Sequence, residues 1–283
     1  MAITTSAALN GLFNNIYERA VFVAREMNLM VGLVSNYSGN TFAPRNLSTR
    51  PQVSAEKVVD GVDYNNSTTF GRTSVGTLTP SQAIAQVILT DVDVANDPDN
   101  AMLDASQEMG AAIATGIDED LVAHFDDFTT DVGPGAGNAA TLAKVAVGVS
   151  VLRGQKVSGI ISVVLHPYQW HDIWVLLGQP SANQALLGDV ANEALRQYFV
   201  GNFVGANWFT SANITIDGNA DAIGGIFTPE ALAFDSRQAP TLEPERDASL
   251  RAWEMNMVAG YATGLGKRPN FGVKYTSDAT TPS

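Results

Sequence analysis

The chain has 283 residues, enough for one large domain or two, and its apolar fraction of 45% permits a real core and argues against wholesale disorder. It contains no cysteine, which excludes a disulfide framework, a thiol nucleophile and a zinc–thiolate site and fits a reducing cytoplasm. The net charge of −13 disfavours gripping DNA or an anionic membrane, and no run of Lys or Arg forms a local basic stripe. The first ten residues lack the basic and apolar regions of a signal peptide, and no window approaches the roughly eighteen apolar residues of a membrane span.

In residues 1–36, Leu9, Phe13, Ile16, Tyr17, Ala20, Val23, Ala24, Met27 and Met30 recur at helical spacing and predict an amphipathic helix. It is either a core helix of the same unit or an arm whose apolar face is buried on a neighbouring subunit. Residues 37–80 are rich in Ser, Thr, Asn and Gly, with Val53, Val58, Val59, Val62, Phe70, Val75 and Leu78 scattered among them. Strand-like pieces flank the turn pairs Asp60-Gly61 and Asn65-Asn66, predicting a long two-stranded excursion without a core of its own. Such a hairpin is marginal in water, so it is either mobile or completed by another chain. The sequons at Asn65 and Asn66 have no secretion signal to make them relevant.

Ser81 to Ala95 reads as a strand carrying Ile84, Val87, Ile88, Leu89, Val92 and Val94. Asp91, Asp93, Asp97 and Asp99 suggest a calcium loop. The template fails at Ala95, at Asn96 where glycine is needed, and at Met102 where glutamate is needed. Strand-end carboxylates and a helix cap account for the same residues. Asp97 to Phe128 is the longest helical pattern, with Asp97 as N-cap and Pro98 at the first position. Met102, Ala105, Met109, Ile113, Ile117, Leu121 and Phe125 share one face. At about 1.5 Å per residue this is a rod of roughly 45 Å. Asp118, Glu119, Asp120, Asp126 and Asp127 oppose the helix dipole and are expected to be solvated or to face a partner. Gly133 to Gly137 (GPGAG) reads as a linker.

Residues 138–235 become mixed α/β. Leu142, Val145, Ala146, Val149 and Leu152 form a helical stripe, and Gly159 to Leu165 reads as a strand buried on both faces. His166-Pro167 ends it, and helices follow at Tyr168 to Leu177 and around Leu186 to Tyr198. Strands are expected near Ile214 to Ile216, at Ala222 to Phe227 and at Ala231 to Phe234, the last two joined by a turn at Thr228-Pro229-Glu230. In residues 236–283, Pro240 and Glu243 to Asp247 read as a polar crossing. A long alternating strand then runs through Trp253, Met255, Met257, Ala259 and Tyr261, and a closing strand covers Phe271 to Tyr275.

His124, His166 and His171 are the only imidazoles, and none pair at metal-protease spacing; they read as packing histidines. The GPGAG stretch follows a helix and lacks the GK[ST] ending of a phosphate loop, Gly154-Gln155-Lys156 lacks its spacing, and no G-x-S-x-G elbow exists. Trp170, Trp174, Trp208 and Trp253 read as core rather than a stacking platform, because no basic groove accompanies them. No catalytic, cofactor or metal residue is assigned.

Three pieces together carry a family resemblance: Ile161 to Trp170 (ISVVLHPYQW), Gly224 to Ala233 (GGIFTPEALA), and Asp247 to Arg251 (DASLR) with the closing Gly272 to Asp278 (GVKYTSD). In this order, after a helical arm, an extended loop and a long helix, the chain resembles tailed-bacteriophage major capsid proteins of the HK97-type fold. The resemblance implies an α+β fold with an N-terminal helical arm (1–36), an extended β-hairpin loop (37–80), and a peripheral domain (81–137) built on a spine helix (97–128). A compact α/β axial domain (138–235) and return strands of the peripheral domain (236–283) complete it. It implies self-assembly of hexamers and pentamers into an icosahedral virion shell around double-stranded DNA, put together in the bacterial host cytoplasm without sequence-specific DNA binding, membrane contact, cofactor or enzymatic activity. A portal is expected, and a separate scaffolding protein or none, since few residues precede the loop, with room for cement proteins. Lys57 and the Asn residues are present, but nothing local marks them for cross-linking. The alternatives are an encapsulin-like nanocompartment shell and an α/β enzyme built on residues 138–235.

Overall fold

The structure is a computed structural model and describes residues 29–51, 53–65, 69–96, 101–178 and 201–282. The expected N-terminal helix through Met27, the Asp97-Pro98 helix start, Asn66 and the helix at Leu186 to Tyr198 lie outside those residues.

Among the described residues the strands form three sheets. The first has the order β1 (Ser35–Ser38), β9 (Leu232–Asp247), β10 (Ala252–Leu265), β4 (Ser81–Thr90). β1 runs parallel to β9; the other pairs are antiparallel. Alternation decides the faces. Ala83, Ala85, Val87 and Leu89 of β4 stand in register with Ala259, Met257, Met255 and Trp253 of β10, and this face packs under α2 (Ala101–Ala123). The predicted stripe is the buried one: Ala105, Met109, Ile113, Ile117, Leu121 and Phe125 all lie in the core.

The second sheet has the order β11 (Gly272–Asp278), β8 (Asp221–Phe227), β5 (Ser162–Leu165), β7 (Ala206–Thr210), β6 (Asn202–Phe203). β5 is buried along its whole length, as its apolar run predicts, but it starts at Ser162 rather than Gly159, and Ile160 before it is exposed. α3 (Leu142–Gly154) and α4 (Pro167–Gly178) share a core with this sheet through Val145, Leu152, Trp170, Ile173 and Trp208. Gln169 is fully buried and acts as a staple: its oxygen accepts from the His166 N–H at 3.0 Å, and its amide donates to the Ala222 carbonyl at 2.8 Å and to Ser277 Oγ at 2.9 Å. The third sheet is the two-stranded ribbon of β2 (Arg45–Thr49) and β3 (Thr73–Leu78).

Several expectations are corrected. The strand from Ser81 stops at Thr90, and Asp91–Asn96 is a short helix, α1. Thr90 caps it: its Oγ1 accepts from the Asp93 N–H at 3.2 Å, and the Asp93 carboxylate reaches back to Thr90. This is a capping box with aspartate in the glutamate position. The spine ends at Ala123 rather than Phe128; residues 125–128 tighten into turns that bond three residues back. Residues 133–137 are no free linker. Gly135 donates to Thr276 O at 3.1 Å, Gly137 donates to Asp221 Oδ1 at 2.6 Å, and Gly133 lies against the Thr276 backbone where a Cβ would clash.

Ile214 to Ile216 forms only an isolated bridge, Ile216 to Ala222. The turn at Thr228 to Ala231 exists, with a 2.9 Å bond, but it leads β8 of the second sheet into β9 of the first instead of closing a hairpin. The polar crossing at Pro240 to Asp247 is the far half of β9. Among the described residues that strand pairs only with β10 beyond Ser236, so prolines on its other side break no ladder. β11 pairs with β8 in the second sheet, away from β10.

Of the acids expected to be solvated or to face a partner, two are drawn into the fold. Asp118 is fully buried in the spine and accepts the Leu29 N–H at 2.8 Å and the Met30 N–H at 3.0 Å. It holds the start of a 3₁₀ turn, Met30–Gly32, whose first amides have no helical partner. Asp120 accepts the Tyr261 hydroxyl at 2.7 Å. Replacing Asp118 with Ala would leave two amides, one of them buried, without an acceptor. The expected loss is about 2–4 kcal/mol, checked by urea unfolding of unassembled subunits; Asp118→Asn, keeping one acceptor, should lose less.

Candidate functional site

The residues considered for chemistry are occupied by packing and local bonds. His124 Nδ1 lies 2.7 Å from Asp127 and its Nε2 3.2 Å from Thr263 Oγ1. His166 is buried against Tyr168 and accepts that residue's N–H on Nδ1 at 3.2 Å. His171 sits beside Trp174. Trp170 and Trp208 meet edge to face in the core, and Arg246 lies over Trp253. Asp91 pairs with Arg246 at 2.9 Å and Asp93 caps α1, while Asp97 and Asp99 lie outside the described residues. Among the described residues no group of three or more His, Asp and Glu gathers to hold a metal, and no helix is long and apolar enough to cross a membrane.

One cleft of about 360 Å³ lies between the end of the spine and the second sheet. Its carboxylates have partners: Asp217 accepts the Asn219 and Asp221 amides, Asp221 accepts Gly137, and Asp126 holds Lys274 at 2.9 Å. That contact raises the Lys274 pKa. The Tyr275 hydroxyl is bonded to both backbone groups of Thr141, and burial pushes its pKa up to about 12. These groups fasten loops to the sheet and leave no carboxylate or phenol poised over the cleft.

The unsatisfied surface lies elsewhere. β2 and β3 leave the first sheet as a ribbon whose root is docked by Leu47 and Leu78 against Ala233 and Ala262. Arg45 Nε also bonds Asp235 there at 2.8 Å. The strands flanking Asp60-Gly61 lie farther from the tip than the sequence predicts; the described residues between Arg50 and Arg72 form no strand. The turn is where expected, with Gly61 at φ +75 and a 3.2 Å bond from the Val62 N–H to Val59 O. Val53, Val58, Val59 and Val62 are 61–68% exposed, and Tyr64 and Phe70 are also exposed. Lys57 lies on the same exposed stretch. On the first sheet, the face opposite the spine bears exposed Ile84 and Ile88, and Phe42 lies against it at Gly260. A ribbon and a sheet face that together bare this much apolar surface mark an interaction surface.

An open ribbon, a spine across one sheet and a second compact sheet define a shell-building subunit of the HK97-type fold. The chain belongs to the phage capsid protein family, whose model matches residues 77–275. It is similar in structure to a protein of Mycobacterium phage Che8, at 18% identity with 84% of each chain covered and a TM-score of 0.62. It is also similar to the capsid of cyanophage P-SCSP1u, at 13% identity, 90% of each chain and a TM-score of 0.71. A third likeness is to the head of Helicobacter pylori bacteriophage KHP40, at 9% identity, 90% of this chain, 93% of that one and a TM-score of 0.71. No curated protein matches the sequence.

His166 gives a pH test. Burial holds its pKa below the usual value, so the unfolded chain binds the proton first as pH falls. The stability tied to neutral His166 is whole above about pH 6.5 and is lost as pH falls through the folded-state pKa. Urea midpoints of unassembled subunits should therefore drop between pH 7.5 and 5. His166→Asn, whose amide oxygen can replace Nδ1 as acceptor, should flatten that part of the profile.

Proposed function

We propose that this chain is the major shell subunit of a tailed bacteriophage, assembling as hexamers and pentamers into an icosahedral head around double-stranded DNA. The observation that carries the reading is the ribbon beyond Arg50, with its bared valines and aromatics and no core beneath them. A second copy of the chain covering it would supply the missing burial, as large obligate interfaces do.

The proposed division of labour follows the order of elements: an arm (1–36), an extended loop (37–80), a peripheral part (81–137), an axial part (138–235) and return strands (236–283). The pairing of β11 with β8 ties the last segment to the axial sheet as well as to the peripheral one. The acidic balance would keep a lumen wall from trapping DNA during filling. In this reading the chain performs no reaction, a portal and a separate scaffolding protein are its further partners, and assembly occurs in the host cytoplasm.

Replacing residues 53–70 by a short glycine linker tests the reading. The ribbon root remains, so circular dichroism and thermal unfolding should match the full chain. Sedimentation and negative-stain microscopy should show subunits or capsomers and no closed shells. Normal shells from the deleted chain would overturn the role given to the loop.

A further inference from the structure

Six of the sixteen Lys and Arg residues gather at the root of the ribbon: Arg45, Arg50, Arg72, Arg237, Lys267 and Arg268. They line or underlie two adjoining clefts of about 340 Å³ each. The anions beside them are too few. Asp235, fully buried, serves both Arg45 at 2.8 Å and Arg237 at 2.6 Å through one oxygen. Glu230 serves Arg268 at 3.1 Å. Arg50, Arg72 and Lys267 have no carboxylate among the described residues; Arg50 lies over Phe70, and Lys267 and Arg45 lie over Tyr37. The Arg237 side chain is 6% exposed, and its buried Nε has no hydrogen-bond partner. In a chain of net charge −13 this is a concentrated surplus of positive charge.

The opposite surplus lies on the same strand. On the far half of the β9–β10 ribbon, Glu245 stands directly across from Glu254, and Glu243 is across from Asn256. Like charges in opposed positions destabilise a sheet. They share a face with Ile84 and Ile88, whereas Arg246 is engaged with Asp91 and Trp253. No cation among the described residues pairs with Glu243 or Glu245. From Arg237 to Glu245 the strand runs about 26 Å, so one chain cannot bring its two poles together.

We propose that the cationic pocket at the ribbon root receives the carboxylates of Glu243, Glu245 and Glu254 from a second copy of this chain, joining subunits head to tail. This rests on the shell reading and names the contact within it. A surface that meets a different surface of its neighbour is heterologous, and such contacts close into rings when the rotation allows. Burial around the pocket strengthens attraction that would be weak on an open surface, and the loop's apolar residues would run on over Ile84 and Ile88.

The test is a charge exchange in the full chain at low salt. Arg50→Glu with Arg72→Glu alters exposed side chains at the loop root, and Glu243→Arg with Glu245→Arg alters the exposed ribbon. Each pair alone should raise the concentration needed for assembly about tenfold or more, while circular dichroism stays unchanged. All four together should return it to within about threefold of the original. A four-fold variant no better than the worse pair overturns the pairing, as does normal assembly of Arg50→Glu/Arg72→Glu. If that variant builds normal shells yet loses salt-sensitive retention of duplex DNA, the pocket belongs to phosphate instead. Wild-type chain that forms no oligomer at any concentration sinks the shell reading and this contact with it.

Discussion

The fold depends on two phenylalanines set into glycine notches. Phe125 and Phe128 close the spine, with ring centroids 6.2 Å apart, and Phe125 also stacks obliquely on Phe227 at 5.4 Å. Gly225 of β8 leaves the room for the Phe125 ring, since a Cβ there would come within 2.6 Å of it; Gly272, at the start of β11, does the same for Phe128. The spine's other end rests on the first sheet through Met109 and Met255. One helix is thus packed on both sheets, and their relative placement follows from it. Each ring contributes about 1.5–3 kcal/mol of burial, and packing this close leaves little freedom to rock. Asp118 adds the third anchor, fixing the chain ahead of β1 to the same helix.

That rigid centre contrasts with what leaves it. The β2–β3 ribbon has a docked root and a bare tip, and a two-stranded element without a face to bury is marginal in water. The first sheet has a spine on one face and open isoleucines on the other. The two kinds of incompleteness match in chemistry: valines and aromatics on the loop, isoleucines on the sheet, cations at one end of β9 and carboxylates at the other. A subunit built this way stays soluble through its charge while holding its apolar contacts for another copy.

Much of this was legible in the sequence, because burial leaves periodic traces. The Ala105 to Phe125 stripe, Val163 to Leu165 of β5, Val145, Val149 and Leu152 of α3 and Met255, Ala259 and Tyr261 of β10 lie in the core, while Ile160, Leu142, Ala146, Trp253 and Met257 of the same patterns do not. What escaped were features whose cause lies far away in the chain. Asp118 looks like any surface acid until Leu29 and Met30 are placed beside it. The GPGAG stretch reads as a linker because its partner, Thr276, lies 141 residues beyond Gly135. The capping box at Thr90 used aspartate, so hydropathy carried the strand too far. The β6–β7 hairpin went unseen: its turn puts both Val204 and Gly205 at positive φ, and valine carries no such signal. The cationic pocket was invisible for the same reason as Asp118: its members come from four separate stretches and form no run. Local motifs announced little, and succession along the chain carried the family likeness.

β9 shows how these constraints meet in one strand. Its first residues are enclosed, paired with β1 on one side and β10 on the other. Past Ser236 no described residue pairs with its other edge, and an open edge invites any other strand to add to it. Pro240 and Pro244 stand in that half, and proline has no N–H to offer. Edge-to-edge addition, which would join subunits in unlimited ribbons, is therefore hindered. What the far half of the strand presents instead are side chains, the exposed carboxylates of Glu243 and Glu245 on one face. Association directed by faces and charges has a fixed geometry, and a fixed geometry can close. Two residues that look like strand breakers in the sequence thus leave the strand intact and restrict how copies of it can meet.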